Sequence, residues 1–223
     1  MDRDERIARE GVVAAARALD AQGLNRGTSG NVSVRFRDGL LITPSGVPIE
    51  RIGPDDVVRM GLDGTHAPDR KPSSEWRFHR DILASRPEFH AVVHAHPVYC
   101  TAFAMCGEAI PAVHYMIATF GGPTVRCAPY APYGTAELSD LALAALVDRN
   151  VCLLANHGMI AAGASLEKAL WLAVELETLC QQYAVARQIG TPIILSDDEI
   201  GTTVERFRGY GLNAARPTAP ETT

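Results

Sequence analysis

His94 and His96 lie two residues apart in an apolar segment, a spacing at which two side chains can chelate one metal ion. Because side chains alternate across a strand, both imidazoles are expected on the same face. A third histidine, His157, follows an apolar run and precedes Gly158, and a glycine permits close approach of backbone and ligand. Three imidazoles with an open position are typical of a catalytic zinc site, often with an added carboxylate. The candidate carboxylate is Glu75.

Each of these residues also has a purely structural interpretation. Two histidines in a strand can be hydrogen-bonded core side chains, and an acid in the first turn of a helix interacts favourably with the helix dipole. Four other histidines have no partner at ligand spacing, so the sequence assigns them to loops, a helix surface or the edge of the core. They are His66, His79, His90 and His114.

Three short loops rich in glycine and hydroxyl residues precede or adjoin Glu75. Their sequences are GTSGN (27–31), TPSG (43–46) and PSS (72–74). Free backbone N–H groups, short donors and a helix N-terminus can together hold a phosphate monoester without a lysine. Taken singly, each loop is an ordinary turn, and GTSGN is not followed by the Gly-Lys pair of an ATP-binding loop.

The composition is that of one packed globular domain that acts on small molecules. The chain has 223 residues, 47% of them hydrophobic, and a formal charge of −5. These values exclude a disordered or fibrous protein. No basic run is present in the sequence, so we expect neither nucleic acid nor a membrane surface as partner.

Only two lysines, Lys71 and Lys168, are available for a Schiff-base mechanism. Lys168 follows a glutamate at the start of a predicted helix and is expected to be solvated. Lys71 precedes a proline in a loop and lacks the apolar setting that lowers a lysine pKa. A Schiff-base enzyme is therefore disfavoured.

The five cysteines are odd in number and form no C-x-x-C pair, so neither a disulfide framework nor a cysteine-rich zinc site is expected. The N-terminus is charged from residue 2 and does not resemble a signal or transit peptide. The longest apolar runs are too short for a membrane span. These features favour a soluble, cytoplasmic protein.

The hydrophobic periodicity predicts strands that come in hairpins and helices between them. Strands are expected at 31–36, 40–43, 57–60, 91–96, 151–155 and 159–163, and helices at 4–22, 73–86, 98–105, 165–188 and 197–211. Hairpin turns are indicated by Arg37-Asp38-Gly39 and by GLDG (61–64). This order favours an α/β fold, a single-domain α/β/α sandwich with a mainly antiparallel central sheet flanked by helices. We assign the domain to residues 1–212 and a disordered tail to 213–223.

Nine segments in the same order resemble the class II aldolase family of the fuculose-phosphate type. They are GTSGNVSVR, ITPSGVP, KPSSEWRFH, VVHAHPVYCTAFA, IPAVHYMIA, CAPYAPYGT, NHGMIA, SLEKALWLAVELE and FRGYGL. The resemblance spans roughly residues 5–212. It implies a homotetramer with the active site at the subunit interface, and a Zn²⁺ cofactor or another divalent ion such as Co²⁺ or Mn²⁺. The implied reaction is reversible cleavage of a ketose 1-phosphate, such as L-fuculose 1-phosphate, to dihydroxyacetone phosphate and an aldehyde such as L-lactaldehyde.

The resemblance also implies roles for individual residues. His94, His96 and His157 match the family's metal ligands, and Glu75 matches its catalytic glutamate, which can also bind the metal. Tyr115 is implied to reach the site from a neighbouring subunit and to exchange a proton with the C4 oxygen of the substrate. Residues that fall on the phosphate loops are Thr28, Gly30, Asn31, Ser45, Gly46, Ser73 and Ser74. Tyr133 and Tyr210 are weaker candidates on the side of the aldehyde.

Three other functions remain open on the sequence alone. One is an aldolase for 5-deoxyribulose or 5-methylthioribulose 1-phosphate in nucleoside salvage, which differs only in the aldehyde half. A second is a pentulose 5-phosphate 4-epimerase, although the segments HYMIA and CAPYAPYGT are closer to the aldolase pattern. The third is an adducin-like scaffold without activity, against which the full set of histidines, Glu75 and Tyr115 argues.

Overall fold

A seven-stranded sheet forms the centre of the computed structural model, which describes residues 1–25, 27 and 29–207. In chain order its strands are β1 (Asn31–Phe36), β2 (Gly39–Ile42), β3 (Val58–Gly61), β4 (Ala91–Ala95), β5 (Cys127–Ala128), β6 (Val151–Leu154) and β7 (Gly158–Gly163). Their spatial order is β3-β2-β1-β4-β7-β6-β5. All neighbours pair antiparallel except β5 and β6, so the sheet is mixed and the prediction of a mainly antiparallel sheet is confirmed.

Helices cover both faces of this sheet. They are α1 (Arg3–Ala21), α2 (Trp76–Ser85), α3 (Val98–Met105), α4 (Ala136–Ala145), α5 (Leu166–Ile189) and α6 (Asp197–Phe207), with short 3₁₀ helices at Ile49–Arg51 and Tyr115–Phe120. One apolar core lies between the sheet and α1, α3 and α5, and a second lies between the sheet and α2 and α4. The predicted three-layer α/β/α sandwich is therefore confirmed.

Strand β5 and helix α4 were not predicted, whereas β6 was. A parallel pair needs a crossover connection, and α4 provides it. The sequence gives little sign of β5, because two residues are too few to show an alternating pattern. Helix α4 does carry a start signal, since the Thr135 side chain accepts a hydrogen bond from Leu138 N–H.

The β1–β2 hairpin forms as predicted, but Gly39 is needed for close packing against β3 and not for the turn. Phe36 pairs with Gly39, so the turn consists of Arg37 and Asp38, and Arg37 takes the positive φ of 52°. A Cβ atom on Gly39 would lie 2.1 Å from the Met60 carbonyl oxygen of β3. The predicted second hairpin forms only in part, because after GLDG the returning chain makes a single bridge, from His66 to Met60.

Lys168 is buried, so its predicted solvation is wrong. The residue is 9% exposed, and its ammonium group lies 4.1 Å from the centroid of the Trp171 ring, one helical turn further on. Burial lowers the pKa of Lys168 to about 8, against the opposing effect of Glu175. Trp171, three residues after Lys168 on the same helix face, thus shields a lysine whose position at the helix start predicts solvent exposure.

The ends of the chain are described only in part. Helix α6 is described to Phe207, and the remainder of the predicted helix and the predicted tail lie outside the described residues. The assigned limits of the domain therefore stay predictions. In the part of the chain that the structure covers, no helix combines the length and apolar character needed to cross a membrane.

Candidate metal centre and substrate cavity

Glu75, His94, His96 and His157 converge at one end of the sheet. The Nε2 atoms of His94 and His96 are 2.9 Å apart. The Glu75 carboxylate places Oε2 3.1 Å from His94 Nε2 and Oε1 3.0 Å from His157 Nε2. One donor atom from each of the four residues lies within 4.8 Å of every other. The structure therefore brings together the four candidate ligands that the sequence singled out.

Three different elements carry the histidines. His94 is in β4, His96 directly follows that strand, and His157 occupies the loop between β6 and β7. Antiparallel pairing of Ala95 with Met159 places the end of β4 beside the start of β7, which brings this loop to His94 and His96. In the same loop Asn156 adopts a positive φ of 56°, which asparagine tolerates better than most residues.

Glu75 differs slightly from its predicted place in the first turn of a helix. It is the N-cap residue of α2, with its backbone N–H donating to the Ser73 hydroxyl at 3.3 Å. Its side chain turns into the protein and is 6% exposed as a residue. The N-cap position therefore directs the carboxylate at the histidines and away from the first turn of its own helix.

Hydrogen bonding and burial prepare these side chains to be ligands. His94 Nδ1 donates to the Met159 carbonyl oxygen at 2.9 Å, so the neutral ring presents an unprotonated Nε2. Burial, and then the nearby His94 and His157, lower the pKa of His96 to about 4. Burial alone would raise the pKa of Glu75, but His94 and His157 outweigh it and hold that pKa well below its usual range. The cluster thus offers imidazole nitrogens beside a strongly acidic carboxylate.

The cluster fits a divalent cation. Glu75 Oε1 is buried with no hydrogen-bond partner assigned in the described residues, and it lies 3.0 Å from His157 Nε2. Unprotonated nitrogens and carboxylate oxygens that face one another at 2.9–3.1 Å repel unless a cation lies among them. Ligands about 2.0 Å from a tetrahedral zinc ion are about 3.3 Å apart, close to these separations.

A buried chain of polar groups stands behind Glu75. Asn31 Nδ2 donates to Glu75 Oε2 at 3.0 Å, and the Asn31 amide oxygen is hydrogen-bonded to His79 Nε2. On the other edge of its ring, His79 Nδ1 lies 2.7 Å from the Ser33 hydroxyl. Burial, and then the nearby His94, lower the pKa of His79 to about 3, against the opposing effect of Glu75.

The sequence predicts no partner for His79, and the structure corrects this prediction. His79 is fully buried in the network and does not lie on a helix surface. Two spacings could have revealed it. Glu75 and His79 are four residues apart and therefore share one face of α2, while Asn31 and Ser33 alternate onto one face of β1.

The three predicted phosphate loops open onto the same cavity as the cluster. The cavity has a volume of about 380 Å³, and the predicted phosphate-loop residues that line it are Gly30, Asn31, Ser45, Gly46, Ser73 and Ser74. Thr28 lies outside the described residues. Within the described part of the chain, the backbone N–H groups of Gly46 and Ser74 have no intramolecular acceptor. The loops thus present uncharged donors beside the metal cluster.

Gly30 is a glycine for steric reasons. Its φ is +83°, and a Cβ atom there would lie 2.1 Å from the Asn25 amide nitrogen. The Asn25 side chain is itself buried and has no hydrogen-bond partner among the described residues. Packing of Asn25 beneath Gly30 sets the path of the first loop just before Asn31.

The two predicted tyrosines that the structure describes lie in different places. Tyr133 lines the cavity, together with Tyr130 and Asn156, which the sequence reasoning missed. Tyr115 is half-exposed, lies on the 3₁₀ helix and stacks on Phe207 with ring centroids 6.2 Å apart. It is not among the described residues that line the cavity of its own chain. Tyr210 lies outside the described residues.

Neither lysine is part of this cavity. Lys71 is exposed beside the phosphate loops. Lys168 lies at the other end of β7, because a Cβ atom on Gly163 would come 2.7 Å from the Ala169 backbone nitrogen. Six strand residues separate the two ends by about 17 Å. The structure thus gives no buried lysine to the candidate site among the described residues.

Comparisons with known proteins agree with this architecture. Residues 10–184 match the family model described as Class II Aldolase and Adducin N-terminal domain. The chain is 52% identical over 212 residues to a 5-methylthioribulose-1-phosphate/5-deoxyribulose-1-phosphate aldolase of Rhodospirillum rubrum, which covers 95% of this chain and 96% of the relative. It is 51% identical over 191 residues to an L-fuculose phosphate aldolase of Escherichia coli K12, which covers 85% and 89%.

A solved L-fuculose 1-phosphate aldolase superposes with a TM-score of 0.88 at 36% identity, which covers 93% of this chain and 98% of that one. The chain therefore belongs to the class II aldolase and adducin family, as its sequence segments indicated. Class II aldolases are metal-dependent enzymes, and the cluster of one glutamate and three histidines is a group that can hold the metal.

Gly158 offers a test of the cluster's geometry. A Cβ atom at this position would lie 2.5 Å from both the Ala95 carbonyl oxygen and His96 Cδ2. We expect Gly158→Ala to displace the His96 ring and to weaken metal binding by about 10- to 100-fold, as measured by competition with a chromophoric chelator. The matched control is Gly201→Ala, where a Cβ atom meets nothing within 4 Å. Unchanged metal affinity in Gly158→Ala would contradict the assignment of His96.

Proposed function

We propose that this protein is a metal-dependent aldolase that reversibly cleaves a ketose 1-phosphate between C3 and C4. The products are dihydroxyacetone phosphate and an aldehyde. The proposal depends above all on one observation, the meeting of the Glu75 and histidine cluster with three uncharged donor loops in a single cavity. Such a cavity suits a substrate with a phosphate at one end and neighbouring oxygens at the other.

The loops are proposed to hold the phosphate. Gly46 and Ser74 supply backbone N–H groups, and Ser74 directly precedes the N-terminus of α2, where the helix dipole favours an anion. The side chains of Ser45 and Ser73 and the loop around Gly30 complete the proposed site. Dipoles of this kind bind a dianion without a cationic side chain.

The three histidines are proposed to hold a divalent ion, which we assign as Zn²⁺. When bound, this ion supplies a Lewis acid that stabilises negative charge on the substrate's C2 and C3 oxygens, an effect of several kcal/mol in comparable sites. Glu75 holds its proton-accepting carboxylate within reach of the same position and is proposed to move the proton at C3. The substrate's own carbonyl accepts the electron pair of the broken C3–C4 bond.

Tyr115 is proposed to serve the site of a neighbouring copy in a homotetramer. Its ring is half-exposed and lies outside the cavity of its own chain, which suits a residue that completes another subunit. There its hydroxyl group would exchange the proton with the C4 oxygen. The side chain of Tyr133, 71% exposed, is proposed to meet the aldehyde half at the cavity mouth.

Two candidate substrates differ in the part of the molecule that is released as the aldehyde. A deoxy-sugar such as L-fuculose 1-phosphate is favoured by the E. coli relative at 51% identity. A 5-deoxy- or 5-methylthioribulose 1-phosphate is favoured equally by the R. rubrum relative at 52% identity over a longer match. Both share the phosphate and the ketone, and both end in an apolar group that exposed tyrosine rings can accept.

Comparison of three ketose 1-phosphates tests the reaction and its scope. We expect L-fuculose, 5-deoxyribulose and 5-methylthioribulose 1-phosphates all to release dihydroxyacetone phosphate, with kcat/KM values within about 200-fold of one another. An apolar contact discriminates weakly between a methyl and a methylthio group. Release is measured with a coupled glycerol-phosphate dehydrogenase. Epimerisation of a pentulose 5-phosphate without cleavage would instead establish the epimerase.

Chelation and borohydride trapping distinguish the metal mechanism from a Schiff base. We expect a chelator to abolish cleavage and Zn²⁺, Co²⁺ or Mn²⁺ to restore it. Borohydride added with substrate should leave the protein mass unchanged, because no lysine lines the described part of the cavity. A lysine-dependent aldolase serves as the positive control for trapping. Resistance to chelators together with a trapped adduct would disprove the proposal.

Mixed assemblies test whether the site is shared between subunits. Glu75→Gln and Tyr115→Phe are each expected to be nearly inactive. If each site takes Glu75 from one chain and Tyr115 from its neighbour, equal amounts of the two variants, refolded together, regain about one quarter of wild-type activity. Each variant refolded alone is the control. Failure to regain activity, with mixed tetramers shown by mass spectrometry, would place both residues on one chain or exclude Tyr115.

A further inference from the structure

The hydrogen bonds around His79 permit only one set of directions. Asn31 Nδ2 faces a carboxylate oxygen of Glu75, which can only accept. The Asn31 amide oxygen must then accept from the group on its other side, which is His79 Nε2. The ring therefore carries its proton on Nε2, and the bare Nδ1 accepts from the Ser33 hydroxyl. The Asn31 amide oxygen and both ring nitrogens of His79 have a hydrogen-bond partner when the ring is neutral.

The alternative arrangement is unfavourable at each step. An inverted Asn31 amide would point its oxygen at Glu75 Oε2, where two acceptors would face each other without a proton. The network is buried, since Ser33 and His79 have no exposed surface and Asn31 is 6% exposed. In such surroundings an unpaired acceptor costs more than it does in water. The protonated edge of His79 is the group that prevents the inversion.

We propose that His79 is a positioning residue, which fixes the Asn31 amide so that it always donates to Glu75 and thereby aims the Glu75 carboxylate at the substrate. Among the described residues, the hydrogen-bond partners of His79 are Ser33 and Asn31, and His79 does not line the cavity. Its effect on the reaction passes through Asn31. Ser33 completes the hydrogen-bond network, because its hydroxyl donates to Nδ1 and so favours the tautomer that donates from Nε2. This inference rests on the proposed aldolase function for its kinetic consequence.

The shape of α2 makes this role specific. Glu75 begins the helix and His79 follows one turn later on the same side, so the aimed residue and its support share one rigid element. Phe78 stacks on the His79 ring with centroids 4.8 Å apart. Asn31 and Ser33 come from β1, which makes the network a link between helix and sheet directly behind the carboxylate.

Three variants measure the kinetic consequence. His79→Phe keeps an aromatic ring against Phe78 but removes the donor, and we expect kcat to fall about 10- to 100-fold with KM and metal content nearly unchanged. His79→Gln retains an N–H for the Asn31 oxygen and should restore most of kcat. His66→Phe, in an exposed loop, is the matched control and should equal the wild type. An equal loss in the Gln and Phe variants that follows their thermal stability would reduce His79 to a packing role and overturn the proposal.

A double-mutant cycle tests whether the effect passes through Asn31. If it does, His79→Phe lowers kcat much less in an Asn31→Ala background than in the wild type, because the group that His79 positions is already missing. Multiplicative effects of the two substitutions would show independent action and contradict the proposal.

The tautomer of His79 provides a readout that needs neither activity nor a destabilising variant. In [¹⁵N]histidine-labelled wild-type protein, we expect the His79 ring to show a protonated Nε2 and a bare Nδ1, and the loss of this signal in His79→Gln assigns it to His79. A proton on Nδ1 instead would reverse the direction of every hydrogen bond from Ser33 to Glu75 and disprove the inference. If the wild type cleaves no ketose 1-phosphate, the proposed function fails, while this spectrum still decides the positioning of Asn31.

Discussion

The site is organised around one buried anion, the carboxylate of Glu75. It is almost excluded from water, and its contacts are imidazoles of His94 and His157 and the amide of Asn31. An ionised carboxylate in such a place costs several kcal/mol unless it is paired. Each partner belongs to a different strand or loop, so the pairing of this single charge requires β1, β4 and the β6–β7 loop to meet at one point.

The register of the sheet satisfies that requirement. Asn31 of β1 pairs with His94 of β4, and Ala95 of β4 pairs with Met159 of β7. A slip of one residue between β1 and β4 would turn either Asn31 or His94 to the opposite face. Close approach at the same point explains Gly158, whose missing side chain leaves the space that the His96 ring occupies. The geometry of the site therefore depends directly on the register of the strands.

Much of this arrangement could be read from the sequence, and the exceptions have physical causes. Strand alternation places His94 and His96 together, and the loop before Gly158 supplies the third histidine. The role of His79 was missed because the sequence shows no partner for it, and only the fold brings it to Asn31, 48 residues away. Lys168 was misjudged because only its place at the start of a predicted helix was considered, and its aromatic neighbour Trp171 was not. Strand β5 was missed since two residues carry no pattern.

The scarcity of cationic side chains at the cavity has a chemical consequence. No lysine or arginine is among the described residues that line it, although the proposed substrate carries a dianion. A lysine placed there would pair with Glu75 and oppose the metal, because one carboxylate would serve two cations. Neutral donors such as Gly46 N–H and Ser74 N–H hold a phosphate without that competition. The charge of Glu75 is thereby left to the histidine cluster, where the proposed bond cleavage would use it.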